Sequence, residues 1–254
     1  MIQPIGFKFL HKLFLFLVKH YFQAEVKGLE NIPVGPCLFV GNHNAIAFVN
    51  PEVWIFGSYY FLKGNSLKVL GHDLVLRVPG ISYLAKEYLR YIPNNLESAK
   101  QSLKDGSQVL VYPGGAWESS RPSSERDRID FKNRSGFVRL AREASVPIVP
   151  IVSTGGHDGI FVWKRGHNLA RALQFHRLFR IDTFPIGFSF PLILHIGPFV
   201  PFIPLPKKVI LEILPPISID ELIADDDVGK ANEIVKCMQR TMDKNVELLP
   251  RSQR

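Results

Sequence analysis

Two apolar runs that break abruptly into glycine and a polar group constrain this chain more than any other feature. Cys37-Leu38-Phe39-Val40 runs into Gly41-Asn42-His43-Asn44, and Gln108-Val109-Leu110-Val111 runs into Tyr112-Pro113-Gly114-Gly115-Ala116-Trp117-Glu118. Each run is short and ends at turn residues, which is the pattern of a buried strand entering a loop. In open α/β sheets, ligands sit outside the carboxyl ends of the strands. The two strings therefore predict one histidine and one double-glycine turn on the same sheet edge. That pairing suits a base beside a backbone loop that stabilises an anion.

The rest of the chain alternates between strand and helix patterns. Val26 to Pro33 reads as a strand and turn, and Leu67–Leu70 as a short strand. Pro51–Phe61 reads as a helix with Val53, Trp54, Phe56 and Tyr60 on its apolar side. Asn95 is placed to cap a helix over Leu96–Lys104, which Gly106 ends. Gly136–Ala144 carries Phe137, Leu140, Ala141 and Ala144 at helical spacing, and Ala231–Leu249 is a closing amphipathic helix. Lys208–Leu214 is a late strand. Val146–Val152 is another, whose prolines predict an edge position or an irregular ladder. This alternation predicts an α/β fold: a single domain with a mixed central β-sheet flanked by helices. The expected division is an N-terminal interfacial helix over residues 1–24 and a catalytic domain over residues 25–254.

Charge and aromatic content narrow the partners. The 254 residues carry a net charge of +8, 46% are hydrophobic and 19 are phenylalanine. A basic, aromatic-rich surface favours anionic lipid headgroups, and no nucleic-acid-binding signature argues for DNA or RNA. The apolar stretch Leu13–Val18 is too short to span a bilayer, which takes about 20 residues. Flanked by Lys8, Lys12 and Lys19, it fits a helix lying in the membrane interface, although a terminal helix docked on the domain has the same pattern. Trp163–Arg180 holds five basic residues and no acidic one, and reads as a basic amphipathic helix or a solvated face. Phe184–Pro206 is apolar but broken by prolines, so it reads as core strand with interfacial loops, or as part of an acyl-chain tunnel. Cys37 and Cys237 are far apart in apolar settings and read as small buried hydrophobes; no metal site is expected.

His43 is the candidate base. A neutral imidazole accepts a proton from an alcohol, and a carboxylate on its other nitrogen orients it. The order Asn42-His43, Pro113-Gly114-Gly115, Val146-Pro147-Ile148-Val149-Pro150 resembles the lysophospholipid acyltransferase superfamily. The likeness is strongest to its Pro-Gly-Gly branch, similar to diacylglycerol acyltransferase-like and phytyl-ester-synthase-like proteins. Glu118, Arg126-Asp127-Arg128-Ile129-Asp130-Phe131 and Arg134-Ser135-Gly136-Phe137 look like that branch too.

The resemblance implies transfer of a fatty acyl group from acyl-CoA or acyl carrier protein to a lipid hydroxyl, with no further cofactor. It implies a peripheral or monotopic enzyme on the cytoplasmic face of a membrane containing anionic lipid. His43 would deprotonate the acceptor, and N–H groups near Gly114 and Gly115 would hold the oxyanion. Substrate contacts are expected from Asn42, Pro113, Gly114, Gly115 and Glu118. Arg90, Arg126 and Arg134 could grip phosphates, or meet headgroups and acidic neighbours instead.

Two departures from the family pattern bear on mechanism. Where the family has its aspartate, five positions after the histidine, this chain has Phe48. The nearest acid is Glu52, which could orient His43 or simply favour a helix N-terminus. Ala116-Trp117 stands where the glycerophosphate-using branch has Thr-Arg, which makes a neutral acceptor credible. A non-catalytic lipid-binding member of the same fold is the competing reading. His157-Asp158 after Thr154-Gly155-Gly156 reads as a structural cluster or a substrate contact, and His72-Asp73 is a weaker one. Serine-hydrolase and phosphate-loop motifs are absent.

Overall fold

The computed structural model describes residues 15–16, 18–44, 50–61, 67–71, 86, 90–179, 181–189, 194–197 and 204–254. Phe48, His72 and Asp73 lie outside these residues.

The main sheet has the order β1-β10-β6-β2-β5-β3-β4. Its strands are β1 (Glu25–Lys27), β2 (Leu38–Gly41), β3 (Leu67–Gly71), β4 (Tyr91–Pro93), β5 (Gln108–Val111), β6 (Ile148–Thr154) and β10 (Ile210–Ile213). Every neighbouring pair is parallel except β10 with β6. Leu38 lies opposite Val109 on one side and Ile148 on the other. The carboxyl ends of β6, β2 and β5 therefore emerge side by side on one edge.

Burial on both faces explains the near-continuous apolar strands. Along β2 the side chains alternate. Leu38 and Val40 join a core with helices α2 (Leu96–Lys104), α4 (Gly136–Ala144) and α7 (Asp227–Val246). Cys37 and Phe39 join the opposite core with α1 (Pro51–Phe61). Phe39, Phe56 and Tyr60 meet edge-on or tilted with ring centroids 5.0–5.9 Å apart. Each such fully buried aromatic contributes about 1.5–3 kcal/mol of apolar burial. Burial also pushes the Cys37 thiol up to about 12, so it stays an inert hydrophobe. Asn95 caps α2 as expected, accepting the Ser98 N–H at 2.8 Å.

Two expectations need correction. β6 is a central strand, flanked by β10 and β2, despite Pro150. In a strand, N and C=O of one residue face the same neighbour. The Pro150 carbonyl accepts from Leu214 N–H, just past the end of β10 at Ile213. The missing donor thus falls where that ladder ends, and the bonds to β2 come from the flanking residues. Second, Trp163–Arg180 is not one helix. It begins in β7 (Phe161–Lys164) and continues as two short helices, α5 (His167–Ala172) and α6 (Phe175–Phe179). β7 pairs antiparallel with β8 (Ile186–Phe188), and β8 with β9 (His195–Ile196), in a separate three-stranded sheet. Val18 and Phe22 are buried in the core with Phe39, and Ala24 N–H bonds to Val18 O at 3.2 Å. No helix among the described residues is long and apolar enough to cross a membrane.

Candidate active site

His43 follows β2 directly, and its imidazole is held from several sides. Nδ1 lies 2.6 Å from Glu52 Oε1. The same oxygen accepts the Asn44 N–H at 3.1 Å. Glu52 sits in the first turn of α1, where the helix dipole favours a carboxylate, and its side chain is buried. Both sequence readings of Glu52 therefore hold at once: it is a first-turn acid and it reaches His43. A carboxylate at Nδ1 fixes the tautomer with the proton on that nitrogen and leaves Nε2 as the basic lone pair. Tyr112, the first residue after β5, stacks on the ring with centroids 4.8 Å apart at 24°. Burial, reinforced by the neighbouring Glu52 carboxylate, holds the Tyr112 phenol well above its ordinary value. Gly41 is required beneath this stack, because a Cβ there would meet Tyr112 Cε1 at 2.6 Å.

The double-glycine turn is stitched to His43 through one carboxylate. Glu118 lies in α3 (Gly115–Ser119), and its Oε2 accepts the His43 backbone N–H at 2.8 Å. A Cβ on Gly114 would stand 2.4 Å from that same Oε2, so only glycine lets the turn close over it. Gly115 adopts φ +49°. Arg134 donates from one guanidinium nitrogen to Pro113 O and Gly114 O, both at 2.8 Å. It orients the peptides of the turn.

Among the expected donors, Gly115 N–H is already bonded to Tyr112 O at 3.1 Å. Desolvation raises Glu118 to about 8, opposed mainly by Arg121.

Several residues expected to touch substrate do other work. Asn42 is fully buried, with its amide bridging to β6: Nδ2 donates to Ser153 O at 2.9 Å and Oδ1 accepts Ser153 N–H at 2.8 Å. It ties strand ends together and has no face left for a ligand. Glu118 is likewise buried and used internally. Arg90 precedes β4, three strands from β2 and at the amino end of the parallel strands, so the fold does not bring it to His43. Arg126 is half-buried beside Asp127 and Asp158, at 3.3 and 3.5 Å.

Arg121 is the residue sequence reasoning undervalued. It is 2% exposed, yet it carries a guanidinium. It donates to His43 O at 2.5 Å, Asn44 Oδ1 at 2.8 Å, Glu118 O at 3.1 Å and Arg126 O at 2.8 and 3.0 Å. Burial pulls its pKa down from the ordinary value, opposed by the neighbouring Glu118 and Glu52. One side chain thus clamps the histidine loop to the segment after the glycine turn. In sequence it is one arginine among several; only its position three residues after Glu118 hinted at it.

His157 adds a third anchor. It is buried, and its Nδ1 bonds to Asn44 O. Desolvation pulls it down to about 3, so the ring is neutral. Gly156 packs against Asn44, where a Cβ would approach Nδ2 to 2.8 Å. Among the described residues no group of three or more His, Cys, Asp or Glu side chains is arranged to hold a metal ion.

A family model described as Acyltransferase matches residues 23–154. A Bos taurus protein called DGAT1/2-independent enzyme synthesizing storage lipids is 32% identical over 184 residues, covering 71% of this chain and 53% of that protein. Its Homo sapiens counterpart of the same name is 30% identical, covering 71% and 54%. An uncharacterized protein of Mycobacterium tuberculosis is 31% identical over 198 residues, covering 77% and 52%. The chain thus spans about half the length of these relatives. Among solved structures, the 1-acyl-sn-glycerophosphate (LPA) acyltransferase PlsC from Thermotoga maritima superposes with a TM-score of 0.53 at 18% identity, covering 96% of this chain and 84% of that one. That likeness is one of fold.

Proposed function

Because this chain belongs to the acyltransferase family, we propose that it moves a fatty acyl group from a thioester, acyl-CoA or acyl carrier protein, to the hydroxyl of a lipid. The observation that carries this reading is the 2.6 Å contact between His43 Nδ1 and Glu52 Oε1 at the carboxyl edge of the parallel strands. Glu52 takes the place of the family aspartate by reaching back from the first turn of α1.

In this mechanism His43 Nε2 removes the proton of the acceptor hydroxyl as its oxygen attacks the thioester carbonyl. Glu52 stabilises the imidazolium that forms. The Gly114 N–H offers a donor to the oxyanion, an interaction whose loss costs about 3–4 kcal/mol in comparable sites. Collapse of the tetrahedral intermediate re-forms the carbonyl and expels the thiolate, which takes the proton back from His43.

A neutral acceptor is favoured over a phosphorylated one. Trp117, where the glycerophosphate-using branch has arginine, lies between Lys132 Nζ at 4.5 Å and the Arg165 guanidinium at 4.0 Å. Both cations face an aromatic ring, and Arg165 also pairs with Glu125 at 2.9 Å. The relatives' name, with its reference to storage lipids, points the same way. We also propose that the chain works at the cytoplasmic surface of a membrane with anionic lipid, in keeping with its net charge of +8. The competing reading, a lipid-binding protein without activity, rests on the absent aspartate. The 2.6 Å contact between Glu52 and His43 supports the enzyme over it.

The direct test is transfer of labelled acyl groups from acyl-CoA and from acyl carrier protein to a panel of diacylglycerol, long-chain alcohol, lysophospholipid and glycerophosphate, comparing the protein with its His43→Ala variant. Transfer that His43→Ala abolishes is the expected result. Equal transfer by both proteins would remove His43 from the chemistry, and no transfer to any acceptor would favour the binding protein.

A further inference from the structure

The small sheet β7–β8–β9 presents an apolar face that stands open among the described residues. Phe161, Trp163, Phe188 and Ile196 are 50%, 60%, 49% and 48% exposed. They come from all three strands, and Phe161 stands opposite Phe188 with ring centroids 6.0 Å apart. Alternation turns Val162 inward, to 4% exposure. Four large apolar side chains on one small sheet are a patch, whereas scattered ones would need no explanation.

Its surroundings say what it fits. Lys164 Nζ lies 4.8 Å above the Trp163 ring. The β7–β8 connection, formed by α5 and α6 and closed by the Phe184 N–H on Arg165 O, exposes Arg171 and Arg177. From Trp163 to Arg180 there are five basic residues and no acidic one. Tryptophan beside lysine, over apolar rings and on a stretch of chain without an acidic residue, is the composition of a headgroup-level contact with anionic lipid. A cavity of about 550 Å³ adjoins the patch. Its wall includes Phe161, Phe188 and Leu205 from the apolar side and His157 from the catalytic side. His157 in turn bonds to Asn44, the neighbour of His43.

We infer that the β7–β8–β9 face is the surface by which the protein docks on an anionic bilayer, with the adjoining cavity turned towards the lipid. This rests on the lipid acyltransferase reading above and assigns the contact surface that reading left open. The aromatic and aliphatic side chains enter the interface, and the basic residues meet phosphate groups.

The test is co-sedimentation of the full chain with phosphatidylcholine vesicles with and without phosphatidylglycerol. The wild type is expected to partition more strongly with phosphatidylglycerol present. Trp163→Ser combined with Ile196→Ser should lower that partition by about tenfold or more, since tenfold corresponds to about 1.4 kcal/mol, less than one buried aromatic supplies. Neither residue lines the cavity, so turnover of a monodispersed short-chain acceptor should stay within about twofold, equivalent to about 0.4 kcal/mol. Lys164→Glu should reduce only the phosphatidylglycerol-dependent part. Should the double variant not fold, Trp163→Phe replaces it: the blue shift of tryptophan emission on adding vesicles should vanish. A double variant that partitions like wild type, a wild type indifferent to phosphatidylglycerol, or a blue shift unchanged in Trp163→Phe would each overturn the assignment. If the wild type transfers no acyl group to any acceptor, the enzymatic reading falls. The vesicle comparison still decides the docking surface.

Discussion

The edge where β6, β2 and β5 end and the face of β7–β8–β9 solve opposite problems. At the first, polar and charged groups are buried and each of the key residues is hydrogen-bonded, with Glu52 Oε2 and His157 Nε2 left without a partner. Asn42, Glu52, Glu118, Arg121 and His157 are each at most 2% exposed, and together they hold one partly open imidazole. At the second, large apolar groups stand in solvent with few bonds to fix them. Buried polar networks are costly unless satisfied, and once satisfied they rigidify. Exposed apolar groups cost little until a surface covers them. The first region is therefore suited to placing one atom accurately, and the second to meeting a surface of no fixed shape.

The largest effect should come from His43→Ala, which removes the base and leaves the network largely intact. Acyl transfer should fall by about 10³-fold, in the usual range for a general base, while the thermal midpoint changes little. A fall of less than tenfold would show that positioning alone sustains the reaction. Glu52→Gln keeps a hydrogen-bond acceptor at His43 but removes the charge that stabilises the imidazolium. Steady-state kinetics should show about a 10²-fold lower kcat with KM nearly unchanged.

Arg121→Met should act on stability. It strips donors from the carbonyls of His43, Glu118 and Arg126 and leaves buried acceptors unmet, at a cost of about 3 kcal/mol. Urea unfolding measures this. Arg121→Lys should recover only part of it, because one ammonium cannot span the same fork of acceptors.

A subtler change concerns pH. His157 titrates near 6.5 in the unfolded chain and near 3 in the folded one. The unfolded state therefore binds the extra proton first. The contribution of neutral His157 is complete above about pH 6.5 and is lost as pH falls towards 3. Urea midpoints should drop between pH 7 and pH 5 in the wild type. The drop should be smaller in His157→Asn, which keeps a donor for Asn44 O. Glu118, raised from 4.5 to about 8, has the opposite sign: its contribution is full below about pH 4.5 and fades as pH rises through 8. Equal acid slopes in wild type and His157→Asn would mean that His157 is not the sensor. The smallest effect on transfer should come from the β7–β8–β9 face: Trp163→Ser should leave turnover of dispersed substrate almost unaltered.

Much of the catalytic edge was legible in the sequence because local rules govern it. An apolar run ending at Gly41 marks a strand end, and Pro113-Gly114-Gly115 marks a turn, whatever surrounds them. Helices α2, α4 and α7 followed from their 3.6-residue periodicity and, for α2, from the Asn95 cap. The position of β6 was misread because proline rules describe isolated strands, and only the point where β10 ends makes Pro150 harmless in the middle of a sheet. Trp163–Arg180 was misread as one basic helix because the end of a short strand followed by two short helices has too few residues in each piece to show its period clearly.

The sequence by itself determined that His43 and the double-glycine turn would sit at strand ends, because backbone sterics and hydrophobic periodicity act within a few residues. Only the tertiary structure decided which carboxylate serves His43, that Glu118 joins its backbone to the turn, and that Arg121 rather than Arg90 belongs to the site. Those choices depend on strand order and register, which bring residues 43, 118, 121 and 157 within bonding distance although no short-range rule relates them.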